Sequence, residues 1–324
     1  MPIIMKYVLF ALLICRLSSV YAQSDANASG EEKKLGPEKI VLQKDTVWDE
    51  NKLVLVNGTV IKTDGHSLTI IANQFAIDGT ATIYSFDPGE IPSKIADAPP
   101  SAAGKSYDRG PTSGGAGDGI NGSSGGAGDP GISGTAGTAG RNAGVIRLVL
   151  KGLAQGNLTI TNDGSDGGPG GKGGDGGGGG NGQQGGRGIP KKLFGVVIGA
   201  ERGPAVGGKG GDGGRGGNGG KGGDGGNGGE VIVESSQLNE ALHINASAKA
   251  GKPGQGGLPG KGGAPGLNGY GGRGTVGVSG REFERAGKPG IAGADGSSGV
   301  PGLPGTPGNI KLAPNITNTL PLIP

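Results

Sequence analysis

Glycine returns at every third position from Gly164 to Gly188, nine times without a miss. It does so eight times from Gly207 to Gly228, and there the next position, Gly208 to Gly229, is filled every time as well. Three more blocks of eight run from Gly119 to Gly140, Gly251 to Gly272 and Gly287 to Gly308. A three-residue period fits neither an α-helix nor a β-strand. It is the period of the polyproline II helix, at three residues per turn and about 3.1 Å rise. An arm of 22 to 25 residues is then a rod of roughly 70–75 Å. Glycine at every third place leaves one face of that rod bare. The repeated GGX of 207–229 leaves two faces bare.

Such rods can wind in threes, as in collagen, or pack side by side through backbone hydrogen bonds, as in polyglycine II. They can also stay a disordered linker. Prolines 253, 259, 265, 289, 301, 304 and 307 suit collagen's Gly-X-Y. The middle pair of arms does not. It has Pro169 alone and carries the full conformational cost of glycine, which only partnered backbone groups offset. The reading is therefore a packed bundle, with a collagen-like trimer as the alternative. The doubly bare arms 164–188 and 207–229 belong at its centre. The proline-bearing arms belong at its edge, because proline has no N–H to donate.

Between the arms the sequence alternates in the two-residue rhythm of strands: VIRLVL and LTIT, then VIVE and LHIN, then IKLA. Residues 39–86 are β throughout, with Asn-Gly and Asp-Gly turns. The repeat is strand, strand, long excursion, which suits stacked rungs. On this reading Thr82-Ile83, Thr159-Ile160 and His243-Ile244 are equivalent, as are Val145, Val231 and Ile310. The expected fold is all-β plus polyglycine II. Short, solenoid-like stacked strands carry Gly-rich polyproline II hairpins packed as a bundle, with almost no α-helix.

Residues 1–22 read as a secretory signal peptide: Lys6, the apolar stretch 7–15, and Val20-Tyr21-Ala22 before the cleavage point. Then come a disordered stretch 23–38, the β-rich region 39–86 and a first excursion 87–144. Strands 145–163, a second hairpin 164–229, strands 230–250 and a third hairpin 251–308 follow, and 309–324 is a last strand and tail. The formal net charge of +3 falls to +1 when Lys6 and Arg16 leave, with 28 basic against 27 acidic residues. That balance offers no stripe for nucleic acid and no polybasic membrane patch. No apolar run after the signal is long enough to span a membrane. The single Cys15 lies in the signal, so the mature chain has neither disulfide nor thiolate ligand.

No catalytic residue, metal site or cofactor is expected. His66 and His243 stand apart from any acid–nucleophile pattern, and Asp-Gly pairs such as Asp212-Gly213 lack the ligand-rich loop of a calcium site. The glycines proposed as structural are Gly167, Gly170, Gly173 and Gly176, with Gly210, Gly213, Gly216, Gly219, Gly222 and Gly225. The face of 207–229 left to side chains reads Lys209, Asp212, Arg215, Asn218, Lys221, Asp224, Asn227, a solvated stripe with weak ion pairs.

The turns between rods fall far from the strands, and there aromatic, apolar and basic residues gather. The candidate contact residues are Tyr107 and Arg109; Lys191, Lys192, Leu193, Phe194, Val197 and Ile198; Tyr270; and Arg281, Phe283 and Arg285. Exposed apolar runs mark contact sites, and loops on rigid scaffolds carry binding. The partner would be a surface receptor, a glycan or a matrix component, with self-association through the end strands also open.

Over roughly residues 104–308 the Gly-X-X rods resemble snow-flea antifreeze proteins and the polyglycine-sandwich adhesins of phage tail-fibre tips. The alternation of strands with Gly-rich hairpins is similar to bacterial secreted "collagen-like" proteins. The resemblance implies a non-enzymatic, secreted structural or adhesive role. Its alternative is ice binding, for which the small stretch Ser133, Thr135, Ala136, Thr138, Ala139 is available.

Overall fold

In the computed structural model the described residues are 32–90, 97–106, 116, 118–236, 241–274 and 286–313. They form twelve strands and, among the described residues, no helix. The strands are β1 (Glu32–Leu35), β2 (Lys39–Val41), β3 (Thr46–Leu55), β4 (Thr59–Lys62), β5 (Leu68–Tyr84), β6 (Ile146–Leu150), β7 (Ala154–Thr161), β8 (Ile189–Leu193), β9 (Val196–Arg202), β10 (Val231–Ser235), β11 (Leu242–Ser247) and β12 (Ile310–Leu312).

All but β8 and β9 join one sheet, and its strand pairs are parallel. One stack runs β1-β3-β5-β6-β10-β12. A second runs β2-β4-β5-β7-β11, the long β5 serving both. Parallel register places like on like. Leu68, Ile146 and Val231 form one buried column, and Ile70, Leu148 and Val233 the next. In the second stack Ile61, Ile83, Ile160 and Ala246 line up, all buried to 0% exposure. Alternate residues point to the core, as strand geometry requires, so each rung extends the columns of the one below.

Two expectations are corrected here. The repeat alignment is shifted: Ile244 pairs with Leu158, and Ala246 pairs with Ile160. A slip of two keeps every side chain on its own face, so the alternation of LHIN could not set the rung. Ile146, not Val145, stands level with Val231 and Ile310. This slip is of one residue, and it is Ile146 that faces the core, fully buried, while Val145 is only half-buried. The stretch 23–38 is also not wholly irregular, because 32–35 is β1. Its polar sequence hides a strand that is held at the sheet's end by charge. Lys33 pairs with Glu50 at 2.5 Å and Lys52 with Glu32 at 2.8 Å. Charged edge strands of this kind discourage further pairing.

Among the described residues there are six extended arms, five of them Gly-rich and the first holding Gly104 alone. Arm 1 is 97–106, arm 2 is 119–144, arm 3 is 162–188, arm 4 is 203–230, arm 5 is 248–274 and arm 6 is 286–309. Arms 1, 3 and 5 run parallel in one row, and arms 2, 4 and 6 in a second row, antiparallel to the first. Within a row, Gly167, Gly170, Gly173 and Gly176 donate to the carbonyls of Lys252, Gln255, Leu258 and Lys261. Gly210, Gly213, Gly216, Gly219, Gly222 and Gly225 donate to those of Lys288, Ile291, Ala294, Ser297, Val300 and Leu303. Between rows, Gly217 donates to Gly174 and Gly260 to Gly217, each at 2.8 Å. Among the described residues arms 3 and 4 each bond four neighbouring arms, whereas arm 6 bonds arms 4 and 5.

Glycine is obligatory in the centre for a steric reason. A Cβ on Gly217 would fall 2.0 Å from the Ile132 carbonyl oxygen, and one on Gly173 would fall 2.2 Å from that of Gly217. Proline marks the edge at the corresponding place. The position after each outward residue donates along the row in arms 3 and 4. In arm 5 that position holds Pro253, Pro259 and Pro265, and in arm 6 it holds Pro289, Pro301, Pro304 and Pro307. Among the described residues no further arm lies there to accept a bond.

Rows and sheet meet at Asn162, which is fully buried. Its amide donates to the carbonyls of Gly144 (2.8 Å) and Glu230 (3.1 Å), and its Oδ1 accepts from Ser85. One side chain thus ties the sheet-side ends of arms 2, 3 and 4. Beside it Lys62 bonds Asp87 (2.6 Å) and Glu90 (3.1 Å), and Arg141 bonds Asp64 (3.1 Å) and Glu90 while lying over the Phe86 ring. The Lys62 bond, then the Tyr84 hydroxyl, holds the Asp87 carboxyl well below the usual carboxylate range. Burial works against charge at Lys62, but Asp87 and Glu90 outweigh it and raise its pKa.

Candidate contact site at the distal end of the arms

Arms 3 and 4 leave the sheet at Asn162 and return to it at Glu230, so their turn is the part of this pair farthest from the sheet. It is built as an antiparallel hairpin of β8 and β9. Leu193 pairs with Val196 and Lys192 with Val197, with irregularities nearer the base. The apex is Phe194-Gly195, with φ of 49° and 82°. Two successive left-handed residues form the tight turn that matches strand twist. Glycine takes that conformation freely; Phe194 does not, and it stands there 96% exposed. Its neighbours Leu193, Val196 and Ile198 are 54%, 65% and 52% exposed.

Lys191 and Lys192 are exposed on β8, and Arg202 and Glu201 are exposed at the base of β9. Ile189 and Arg202 crowd Gly119 of arm 2, so the base of the hairpin rests on the array. Both strands of the hairpin have an edge facing away from each other and bond only one another within the sheet they form.

Of the sequence candidates, Lys191, Lys192, Leu193, Phe194, Val197 and Ile198 come together on this hairpin. Tyr270 does not. It belongs to arm 5, where its carbonyl accepts from Gly185, because the Gly frame continues through it to Gly272. Tyr107, Arg109, Arg281, Phe283 and Arg285 lie outside the described residues. His66 Nδ1 stands 3.7 Å from Asp45 at the surface, and His243 is exposed on β11. Among the described residues no group of three or more His, Cys, Asp or Glu side chains could hold a metal ion. No described helix is long and apolar enough to cross a membrane.

The charged stripe of arm 4 does more than solvate. Asp212 accepts the backbone N–H of Ile291 at 2.9 Å, and Asp224 that of Leu303 at 2.8 Å. Asn218 and Asn227 do the same for Ser297 and Thr306. In the other row Asp163, Asp166, Asp175 and Asn181 accept from Lys249, Lys252, Lys261 and Leu267. These N–H groups are the ones that the row-wise glycine bonds leave over. The bond from the neighbouring arm, then the Lys209 and Lys221 ammonium groups, lowers the pKa of Asp212 and Asp224 respectively. Lys261 and Lys172 do likewise for Asp175. Sequence could have suggested this through the recurrence of Asp and Asn, among lysines and an arginine, at one frame position of arm 4.

No family model matches this sequence, and no curated protein matches it. Among solved structures, an antifreeze protein of the springtail Granisotoma rainieri, described as a nine polyproline type II helical bundle whose crystal waters match the ice lattice, aligns at 23% identity. The alignment covers 60% of this chain and 93% of that one, with a TM-score of 0.10. A likeness that slight transfers neither fold nor function.

Proposed function

We propose that the chain is a secreted, non-enzymatic structural or adhesive protein. Its arms are a polyglycine II bundle on a solenoid-like stack, and they serve as a rigid mount for contact loops. The observation that carries this reading is the β8–β9 hairpin: an aromatic apex and three further apolar side chains, all exposed, held at the far end of a hydrogen-bonded scaffold. Scaffolds that hold apolar and aromatic loops in solvent are built for contact. Each central glycine already has its partners within one chain, so this reading needs no collagen-like trimer. The contact is with a surface receptor, glycan or matrix component.

The test is attachment of the purified chain to cell surfaces, glycans and matrix proteins, compared with Phe194→Asn. Asn tolerates the left-handed backbone, so the turn survives while the aromatic ring is lost. A loss of attachment of about tenfold or more is expected from removing an exposed aromatic anchor. Unchanged attachment would contradict the reading.

Ice binding is the second reading, favoured by the exposed small residues Ser133, Thr135, Ala136, Thr138 and Ala139 of arm 2. Thermal hysteresis of the purified protein decides it. Arm 4, next in the row, sets Asn218, Lys221 and Asp224 beside this stretch and limits the width of any such face.

A further inference from the structure

The distribution of side chains on the hairpin narrows the kind of surface it can meet. Leu193 and Val196 are paired and so share one face, whereas Lys192 and Val197 are paired one step back and share the other. Phe194 projects at the apex between them. The apolar surface therefore surrounds the tip. A folded partner that docks on a sheet covers one face, and one that adds a strand uses one edge. Neither would require apolar side chains on both faces and at the apex.

The charges are graded along the hairpin axis. The outermost four residues, Leu193, Phe194, Gly195 and Val196, carry none. Lys192 and Lys191 follow, both exposed, and Glu201 and Arg202 lie at the base. At a strand rise of about 3.3 Å per residue, the Lys191 position sits roughly 10 Å behind the apex. Interfacial segments bury their apolar part to a depth of about 5–10 Å, with basic side chains at the headgroup level. The two lengths agree, and the collar has the sign that anionic headgroups attract.

We infer that the β8–β9 hairpin is a wedge for an anionic lipid surface: Phe194, Leu193 and Val196 enter the bilayer interface and Lys191 and Lys192 hold the headgroups. This rests on the reading of the hairpin as a contact site and puts a lipid surface in place of the receptor, glycan or matrix component as its partner. It requires no membrane span.

The chain has one tryptophan, Trp48, which is 4% exposed in the sheet core. Phe194→Trp in the full chain therefore gives a second, apical reporter against a steady background. The probes are vesicles of phosphatidylcholine alone and of phosphatidylcholine with roughly one third phosphatidylglycerol. Emission should move to the blue with the anionic vesicles only. The double variant Lys191→Gln, Lys192→Gln should weaken vesicle binding about 25-fold, at about fivefold for each basic residue near such a surface. If neither vesicle shifts the emission while Phe194→Asn still lowers attachment to cells or matrix, the lipid assignment is overturned and the contact reading stands. If neither vesicle shifts it and Phe194→Asn changes nothing, both fall.

Discussion

The sheet and the arms of this molecule solve one problem in opposite ways. In the sheet, columns of Leu, Ile and Val are taken out of water, and backbone bonds follow from strand pairing. In the arms there is almost no side chain to bury. Cohesion there comes from glycine N–H groups donating to carbonyls in two directions, and the absence of Cβ atoms allows the backbones to approach. Burial tolerates a change of side-chain shape, because neighbours can shift. A backbone-to-backbone contact cannot shift without breaking the bonds that define it. The two regions should therefore differ sharply in what damages them.

The largest effect is expected from Gly217→Val in the middle of arm 4. Its side chain would begin 2.0 Å from the Ile132 oxygen, and a loss above about 4 kcal/mol follows, as for the most severe single substitutions. Gly199→Ala is the control: nothing lies within 4 Å of its Cβ position, and thermal melting should hardly move. Next comes the sheet. Leu148→Ala, at a fully buried site, should cost about 2–5 kcal/mol by denaturant titration. Asn162→Ala, at the junction, should cost about 1–3 kcal/mol by leaving the Gly144 carbonyl without its donor and the buried Ser85 hydroxyl without its acceptor. At the array's edge, Pro301→Gly should cost only about 0.4–1 kcal/mol, chiefly by loosening the unfolded chain.

The smallest effect is a pH dependence. Asp175, Asp212 and Asp224 have depressed pKa values when folded, so their contribution is complete above the ordinary aspartate pKa near ~3.9. It is lost as pH falls from there through the depressed values. Melting followed from neutral pH to acid should show this loss. Asp212→Asn should flatten it, because an amide oxygen at this position still accepts the neighbour's N–H, as Asn218 and Asn227 do. An unflattened profile in the variant combining Asp175→Asn, Asp212→Asn and Asp224→Asn would place the acid sensitivity elsewhere, with Asp87 and Glu90 as the groups to change next.

The difference between the regions also explains what sequence could reveal. The glycine period and the alternation of VIRLVL are local, and both are legible. So is the edge role of the prolines, since a missing N–H is a property of the residue itself. The pairing of Asp212 with Ile291 joins residues 79 apart, and no local pattern states which arm lies beside which. The rung of β11 was misaligned by two because alternation alone is indifferent to such a slip. At the site, the apolar run 193–198 was legible as exposed. Its apical Phe194 in a left-handed turn was not, because Phe-Gly is not a usual signature for that turn.

Amide hydrogen exchange resolved along arms 3 and 4 tests the central claim most directly. If the arms are held by their backbone, glycine N–H groups in 164–188 and 207–229 should be protected to a degree comparable with β5 and β6. Exchange of all those glycines at the rate of an open chain, with protection confined to the sheet, would contradict the account.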